Sequence, residues 1–504
     1  MEKKISIQRV SVAIMFVTLL SKIIGFGREL LFSYFFGATN LADAYVFSLT
    51  ISTIVFGFIG TGITTSFIPM YTKVRENEGI DGANKFTSNL LTIYIFISIT
   101  IILFLWPNTG LIVDFLAGGF DPETSKLAAD FCKYSILTVL ATGVLSILSG
   151  VLQINNNYLM PASVGLPLNV VLIISFVIAA KTQNWVLGLG NLCAVYIEVA
   201  YLLPWLKKTT FRWHFKLDLK SKYLKEIFKL AIPIIISASV NQINVLIDKS
   251  LASGTEGGIS TLNYAHTIIS IINDVVIASF ITTMYPRISK AFADKKLSEA
   301  MNIFKETLSV LMMILIPSMI GLSLCAEPVI AFFFGRGAFT HDDVIACSGI
   351  LICYAFGIPF VGIRQLLIRM FYAQQDTKTP VKNASVAIGI NIVLNFPLMK
   401  MMGIKGLSLA TSISAVISVL LLWRAMKKKI ELTIDVRTLK EIAKILISSL
   451  SMGIITYISL NIIERFGNVY LTIFVTIFVS MVAYFGLLLV FKVESIKKIL
   501  KRDK

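Results

Sequence analysis

The chain has 504 residues and a net charge of +17, with 56% hydrophobic and only 15% charged side chains. Its mean hydropathy of +0.80 lies far outside the range of soluble globular chains, which excludes a soluble enzyme and points to an all-α polytopic membrane protein. The positive balance does not indicate a nucleic-acid binder, because the basic residues are spread over segments that each flank an apolar run rather than gathered on one soluble face.

Apolar runs of roughly 20 residues, the length that crosses a hydrocarbon core, are centred near Phe16, Thr61, Ile97, Leu140, Ile173, Val195, Ser239, Ile271, Ile314, Gly362, Ile390, Ile417, Met452 and Val479. They predict about fourteen transmembrane helices. Most lysines and arginines fall in alternate connections: Lys3 to Arg9, Lys73 to Lys85, Lys207 to Lys225, Arg287 to Lys305, Lys378 and Lys382, Arg424 to Lys440, and Lys492 to Lys504. Cytoplasmic loops carry the excess of positive charge, so both termini are expected in the cytoplasm, in keeping with an even number of spans. The first span has no small-residue cleavage site and is too long and too charged for a signal peptide, so it is expected to be retained. Five cysteines, Cys132, Cys193, Cys325, Cys347 and Cys353, form no C-x-x-C, and the three histidines show no ligand spacing. Reduced, structural thiols and no metal site are expected.

The chain also repeats itself. At an offset of 217, Gly37 falls on Gly254, Pro69 on Pro286, Lys73 on Lys290 and Gly118 on Gly335, and "TSFIPMYTK" meets "TTMYPRISK". With a few residues of added offset, "LNVVLII" (168–174) meets "INIVLNF" (390–396). The offset spans an even number of helices, so the two lobes have the same topology and a pseudo-twofold axis along the membrane normal, as in transporters that rock two halves around a cavity. The expected organisation is an N-lobe of six helices (1–206), a basic cytoplasmic linker (207–225), a C-lobe of six helices (226–430), and two further helices with a basic tail (431–504).

Polar residues inside the spans indicate where a cavity lies. The first helix carries Lys22, Arg28 and Glu29 near its middle; on an insertion scale these cost roughly 8–10 kcal/mol, against about 5–9 returned by its large apolar residues. Thr18, Lys22, Gly25 and Glu29 share one helical face, with Arg28 at its edge. Helix 7, the repeat mate of helix 1, has the same spacing in Ser237, Asn241, Asn244 and Asp248, and helix 8 adds Asn263, His266, Ser270 and Asp274. Three such stripes suggest a wet cavity between lobes; the plain alternative is pairing, Lys22 with Glu29 or Lys249 with Asp248, that only holds helices together. Asp43 follows the sharp "FGATNLAD" turn and either caps helix 2 or faces the cavity. Arg364 and Arg369 on helix 10 are explained equally by snorkelling and by a ligand. No G-x-x-x-x-G-K-[ST] occurs, so uphill transport would draw on an ion gradient, the membrane potential or a separate ATPase.

"SKIIGFGRELLFSYFFGATNLADAY" near the N-terminus, "FFFGRGAFTHDD" at 332–343 and "RMFYAQQDTKTPVKNA" at 369–384 closely resemble the lipid II flippases of the MurJ/MviN family, in the multidrug/oligosaccharidyl-lipid/polysaccharide exporter superfamily. The resemblance covers most of helices 1 to 12, and the fourteen-span count fits it. It implies transport of an undecaprenyl-diphosphate-linked glycan, lipid II, from the cytoplasmic to the outer leaflet of the bacterial cytoplasmic membrane, without catalysis or a bound cofactor. In that family helices 13 and 14 border a groove for the polyprenyl tail, and partners are membrane lipid and other cell-wall synthesis proteins. Arg28 matches the family's cavity arginine, Glu29 stands where aspartate is common, Lys22 where arginine is usual, and Asp43 matches a turn acid. Two departures stand out: the helix 2 stretch "TISTIVFGFIG" has no cation, and the helix 8 position where the family has arginine is Thr267, beside His266.

The expected central-cavity residues are thus Lys22, Arg28, Glu29, Asp43, Asn241, Asn244 and His266, with Asp248 and Asp274 as ion-coupling acids for sodium or protons. Rival readings are a flippase for another lipid-linked polysaccharide unit and a drug or cation antiporter, whose cavity should be rich in acids rather than holding Lys and Arg. A membrane glycosyltransferase would need a sizeable external loop carrying catalytic acids or histidine, and the external loops here are short.

Overall fold

The structure, a computed structural model, describes residues 7–430, 433–463, 465 and 469–496. Among these residues all regular structure is helical, because lipid supplies no partner for a backbone N–H or C=O and a helix satisfies them internally. Thirteen helices among the described residues are long and apolar enough to cross a membrane. With α1 (Ile7–Phe36), which has 30 residues, they account for the fourteen spans expected from the sequence. Packing divides the chain into two compact units, Met1–Ser260 and Thr261–Lys504.

In the first unit α1 is followed by α2 (Asn40–Ile59), α3 (Thr61–Leu105), the short α4 (Thr109–Leu116), α5 (Pro122–Ile154), α6 (Leu159–Ser163), α7 (Gly165–Ala179), α8 (Trp185–Leu206) and α9 (Lys222–Ala252). α3 is two helices joined at Gly79, whose φ of 72° and ψ of −171° break the helical path. The second span is therefore α2 continued by the first part of α3. The core of this unit is built from α3, α5, α8 and α9, where Phe67, Tyr71, Phe86, Tyr94, Val151 and Ile227 are buried together. The Tyr94 hydroxyl, deep in this apolar cluster, donates to the Val139 carbonyl at 2.7 Å, as a buried phenol must.

The α9 helix belongs to this unit: Lys73 pairs with Glu226, and Gly62 lies so close to Ala231 that a Cβ would come within 2.5 Å of its carbonyl oxygen. By sequence repeat α9 opens the second lobe, but by packing it completes the first unit.

α10 (Gly258–Ile272) starts at the end of the first unit and runs on from Thr261 into the second, which also contains a π-helical turn Asn273–Ile277, α11 (Ala278–Ala293), α12 (Leu297–Leu324), the short α13 (Ala326–Phe333), α14 (His341–Ala373), α15 (Lys378–Met402), α16 (Ile404–Ile430), α17 (Val436–Ile463) and α18 (Val469–Val490). Element for element the repeat is visible: α4 corresponds to α13, α5 to α14, α6 and α7 to α15, and α8 to α16. It reaches single residues. Asn156 and Gln375 both take a φ of 61°; after them Asn157 Oδ1 accepts from Met160 N at 3.4 Å and Asp376 Oδ1 accepts from Thr379 N at 3.0 Å. Each pair ends one span and caps the next helix.

α17 and α18 stand outside the repeat and are anchored separately. Tyr484 donates to the Met313 carbonyl at 2.6 Å, Lys305 meets Asp435 at 3.2 Å, and the Arg336 guanidinium lies over the rings of Phe332 and Tyr470. All five cysteines are free.

Two predictions follow from these contacts. Gly257 has a φ of +69°, and a Cβ there would lie 2.3 Å from the Ala38 carbonyl oxygen. Gly257→Val should therefore lose about 1–3 kcal/mol of stability, read as a lowered melting temperature in detergent, whereas Gly110→Ala, with open space around it, should not. Asp376, outside the spans, accepts from Lys429 Nζ at 2.8 Å and from Thr379, and these hydrogen bonds, Lys429 first, hold its pKa down at about 2. A depressed folded pKa stabilises above the unfolded value near ~3.9 and is lost as pH falls towards 2. The melting gap between wild type and Asp376→Asn should be present at neutral pH and narrow below about pH 4.

Candidate functional site

The charged stretch of α1 is held by protein on two sides. One face meets α7 through small residues: a Cβ on Gly165 would come within 2.4 Å of Ser21 Oγ, and Gly25 faces the Asn169 amide. Asn169 Nδ2 also donates to the Ser21 carbonyl at 3.3 Å. Close approach of this kind is how helices associate where lipid removes the hydrophobic drive. A second side carries aromatics, with Phe32 of α1 against Tyr45 of α2 and Phe176 of α7 at 5.2 and 5.1 Å between ring centres. Within this frame Arg28 is ion-paired to its neighbour Glu29, the two side chains 24% and 18% exposed. Each desolvated charge thus has its counter-charge one residue away. Lys22, two turns earlier, is exposed.

Asp43 is fully buried, and it does not cap α2. That role falls to Thr39, whose Oγ1 accepts from Ala42 N at 3.4 Å. Asp43 instead accepts the Ser260 N–H at 2.7 Å, with the Ile259 and Gly258 N–H groups also directed at it, and so caps the first turn of α10. An aspartate at a helix N-terminus satisfies orphan donors and meets the positive end of the dipole. Asp43 and Ser260 are repeat mates, 217 residues apart. The turn after α1 and the turn after α9 therefore meet each other at equivalent positions. Gly257 against Ala38 belongs to the same contact.

α9 contributes a group the sequence stripe did not single out. Asn241 is exposed, and Asn244 Nδ2 donates to Asp248 at 3.4 Å; the side chain of Ser237 lies outside the described residues. Lys249, one position off the stripe, turns the other way and donates to Thr50 Oγ1 of α2 at 2.5 Å. Its electrostatic neighbours are the carboxylates of Asp43 and Glu29. α2 has no basic residue of its own; α9 brings one to it. In the first unit the structure thus gathers Arg28, Glu29, Asp43 and Lys249, with Asn244 and Asp248 along the same helix as Lys249.

In the second unit, His266 of α10 is exposed and packs its ring edge-on to Tyr354 of α14 at 6.0 Å. Asp274 is exposed within the π-helical turn, an irregularity common at functional sites. Arg369 lies over the rings of Tyr285 and Tyr372, a cation–π environment that holds the guanidinium inside the unit.

A sequence model of the family described as lipid II flippase MurJ matches residues 32–479. The chain belongs to the MurJ family. Among the MurJ relatives, a probable lipid II flippase of Thermotoga maritima is 27% identical over 490 residues, covering 96% of this chain and 97% of the relative. One of Rhizobium tropici is 25% identical over 453 residues, covering 88% and 85%. A solved structure of lipid II flippase MurJ in an inward closed conformation shares the fold at a TM-score of 0.82 and 25% identity, covering 98% of this chain and 99% of that one. A multidrug-resistance MATE transporter reaches 0.70 at 12% identity over 83% of the chain, which shows a common fold and nothing about cargo.

The three stretches that resemble the MurJ family sit at particular joints. The first is α1, its turn and the start of α2. The second is the turn from α13 into α14, where Gly337 has a φ of 64° and Thr340 and Asp343 form a capping box. The third is the turn from α14 into α15 that Asp376 caps.

Removing the Asp43 carboxylate leaves the start of α10 with a buried, unpartnered donor. Asp43→Ala should cost about 1–3 kcal/mol and lower the melting temperature more than Thr39→Ala, while Asp43→Asn, which keeps an acceptor oxygen, should recover part of the loss.

Proposed function

We propose that this chain flips lipid II, the undecaprenyl-diphosphate-linked precursor of peptidoglycan, from the cytoplasmic to the outer leaflet of the bacterial cytoplasmic membrane by alternating access. It is a transporter and not an enzyme. The observation that carries the reading is the MurJ family match across residues 32–479, which takes in both repeats and extends through α17 into α18. The MATE-type fold alone covers 83% of the chain.

The headgroup site in this reading is the α1 segment with Lys22, Arg28 and Glu29, extended by Asn241 and Asn244 of α9. Lys22, exposed on α1, attracts the diphosphate as a point charge, and Arg28 offers a planar fork suited to its oxygens. Glu29 keeps the unloaded site from carrying uncompensated positive charge. The polyprenyl tail stays in lipid beside α17 and α18. With both termini in the cytoplasm, a headgroup of charge near −2 moving outward gains roughly 4–5 kcal/mol from a membrane potential of 100 mV. Asp248 and Asp274 are the acids that would bind a returning sodium ion or proton.

Depletion of the protein in its host, with any second flippase deleted, should trap lipid II in the inner leaflet. Wild type should restore exposure at the outer leaflet, Arg28→Ala should not, and Lys22→Ala should restore it in part. Normal lipid II exposure in depleted cells would mean that the cargo is another lipid-linked glycan.

A further inference from the structure

The internal repeat pairs surfaces as well as cores. At the offset of 217, which Asp43 and Ser260 also obey, the part of α3 after Gly79 falls on α12 from Leu297 onward, and α4 falls on α13. The inward faces confirm this register. Thr87 and Phe304, Tyr94 and Leu311, and Val113 and Ile330 are repeat mates, and all six are fully buried, each within its own unit.

The outward faces of the same helices differ. In the second unit α17 and α18 cover them: the Met313 carbonyl accepts from Tyr484 of α18 at 2.6 Å, and a Cβ on Gly453 of α17 would come within 2.8 Å of Ile320. The Phe332 ring meets Tyr470 and Phe474 of α18 at 5.6 and 5.8 Å between centres. The mates of Met313, Ile320 and Phe332 in the first unit are Phe96, Leu103 and Phe115, which are 47%, 70% and 85% exposed. Phe96 has an edge contact with Phe215, but no helix among the described residues of the first unit lies over the stripe. Phe115, the counterpart of the ring that α18 embraces, is the most exposed large apolar side chain among the described residues.

We propose that this stripe along α3 and α4 is a docking surface for a transmembrane helix of another membrane protein, seated as α17 and α18 are seated on the second unit. The covered copy shows the chemistry of the occupant: an apolar helix with a glycine that lets its backbone approach Leu103 and an aromatic side chain that meets the edge of Phe115. A second copy of this chain is not the occupant, because its own α17 and α18 are already seated on α12 and α13. The partner would be held without obstructing α1, which packs against α7 and not against this stripe. The inference holds whatever lipid-linked glycan is the cargo.

Photocrosslinking in living host cells tests it, with the full-length protein carrying benzoylphenylalanine in place of Leu103, of Phe115, or of Val393, a control residue on α15 that is 68% exposed and outside the stripe. Adducts are identified by mass spectrometry down to the crosslinked peptide. The Leu103 and Phe115 positions should capture the same protein through the same transmembrane segment, and the Val393 position should not. Leu103→Trp, which fills the place of closest approach, should lower the Phe115 adduct about tenfold at an unchanged melting temperature. Phe96→Trp, one end of the stripe away, is the second blocking variant and should lower it as well. Adducts with lipid alone, or none, would overturn the proposal and leave the stripe as lipid-facing surface. Adducts with a second copy of this chain would overturn it in favour of self-association. The same protein captured from Val393, or a Phe115 adduct that neither blocking variant lowers, would overturn it as well, since the contact would then be random encounter in the membrane.

Discussion

A charge inside a bilayer must bring its partner with it, and this requirement governs α1 and the helices around it. Lipid cannot solvate Arg28 or Glu29, so the two pair with each other, and α1 is pressed against α7 through Ser21, Gly25, Gly165 and Asn169, where small side chains let the backbones approach. The buried carboxylate of Asp43 obeys the same rule with a different partner, the N-terminal donors of α10. Lys249 obeys it a third way, by reaching a hydroxyl on α2 while remaining in the field of two acids. The last two solutions each join two elements, so satisfying those charges also fixes how the helices pack.

The internal duplication supplies the geometry for these solutions. Because the turn after α1 and the turn after α9 are repeat mates, their meeting places Asp43 of one against Ser260 of the other, at equivalent positions 217 residues apart. Only one of the two copies carries the acid, so the pseudo-symmetry is broken at its contact point by a charge. The repeat is broken again at mid-helix. α2 passes into α3 through Gly60, and its mate passes from α10 to α11 through a π-helical turn containing Asp274. Such interruptions weaken the local hydrogen-bond ladder and are found where a helix carries function or bends.

Much of the fold was legible because membrane insertion makes the signal local. A span is recognised from its own twenty or so residues, so the fourteen spans and the correspondence of α5 with α14 or α8 with α16 were readable without any contact. The motifs that mark the MurJ family were legible for a similar reason: each contains a turn whose positive-φ residue (Gly37, Gly337 or Gln375) and capping residue lie within a few positions of each other, as with Thr340 and Asp343. Asp43 shows where such reasoning stops. Its position at the start of α2 suggests a cap for that helix, yet Thr39 fills the role, and the carboxylate is taken by a helix that begins more than two hundred residues later.

By itself, then, the sequence determined a polytopic helical transporter built of two repeats and two extra helices, with cations and an acid at the centre of its first span. It also placed Lys22, Arg28 and Glu29 on or beside one face, because helical periodicity links residues a few positions apart. What only the tertiary structure decided was partnership between distant segments: α9 packing with the first unit although it opens the second repeat, Asp43 capping α10, and Lys249 turning away from the polar stripe of its own helix towards Thr50. The physical reason is that a lysine or aspartate in a span must find an opposite charge or a donor somewhere, but which one it finds depends on the register between helices, and no local pattern encodes that register.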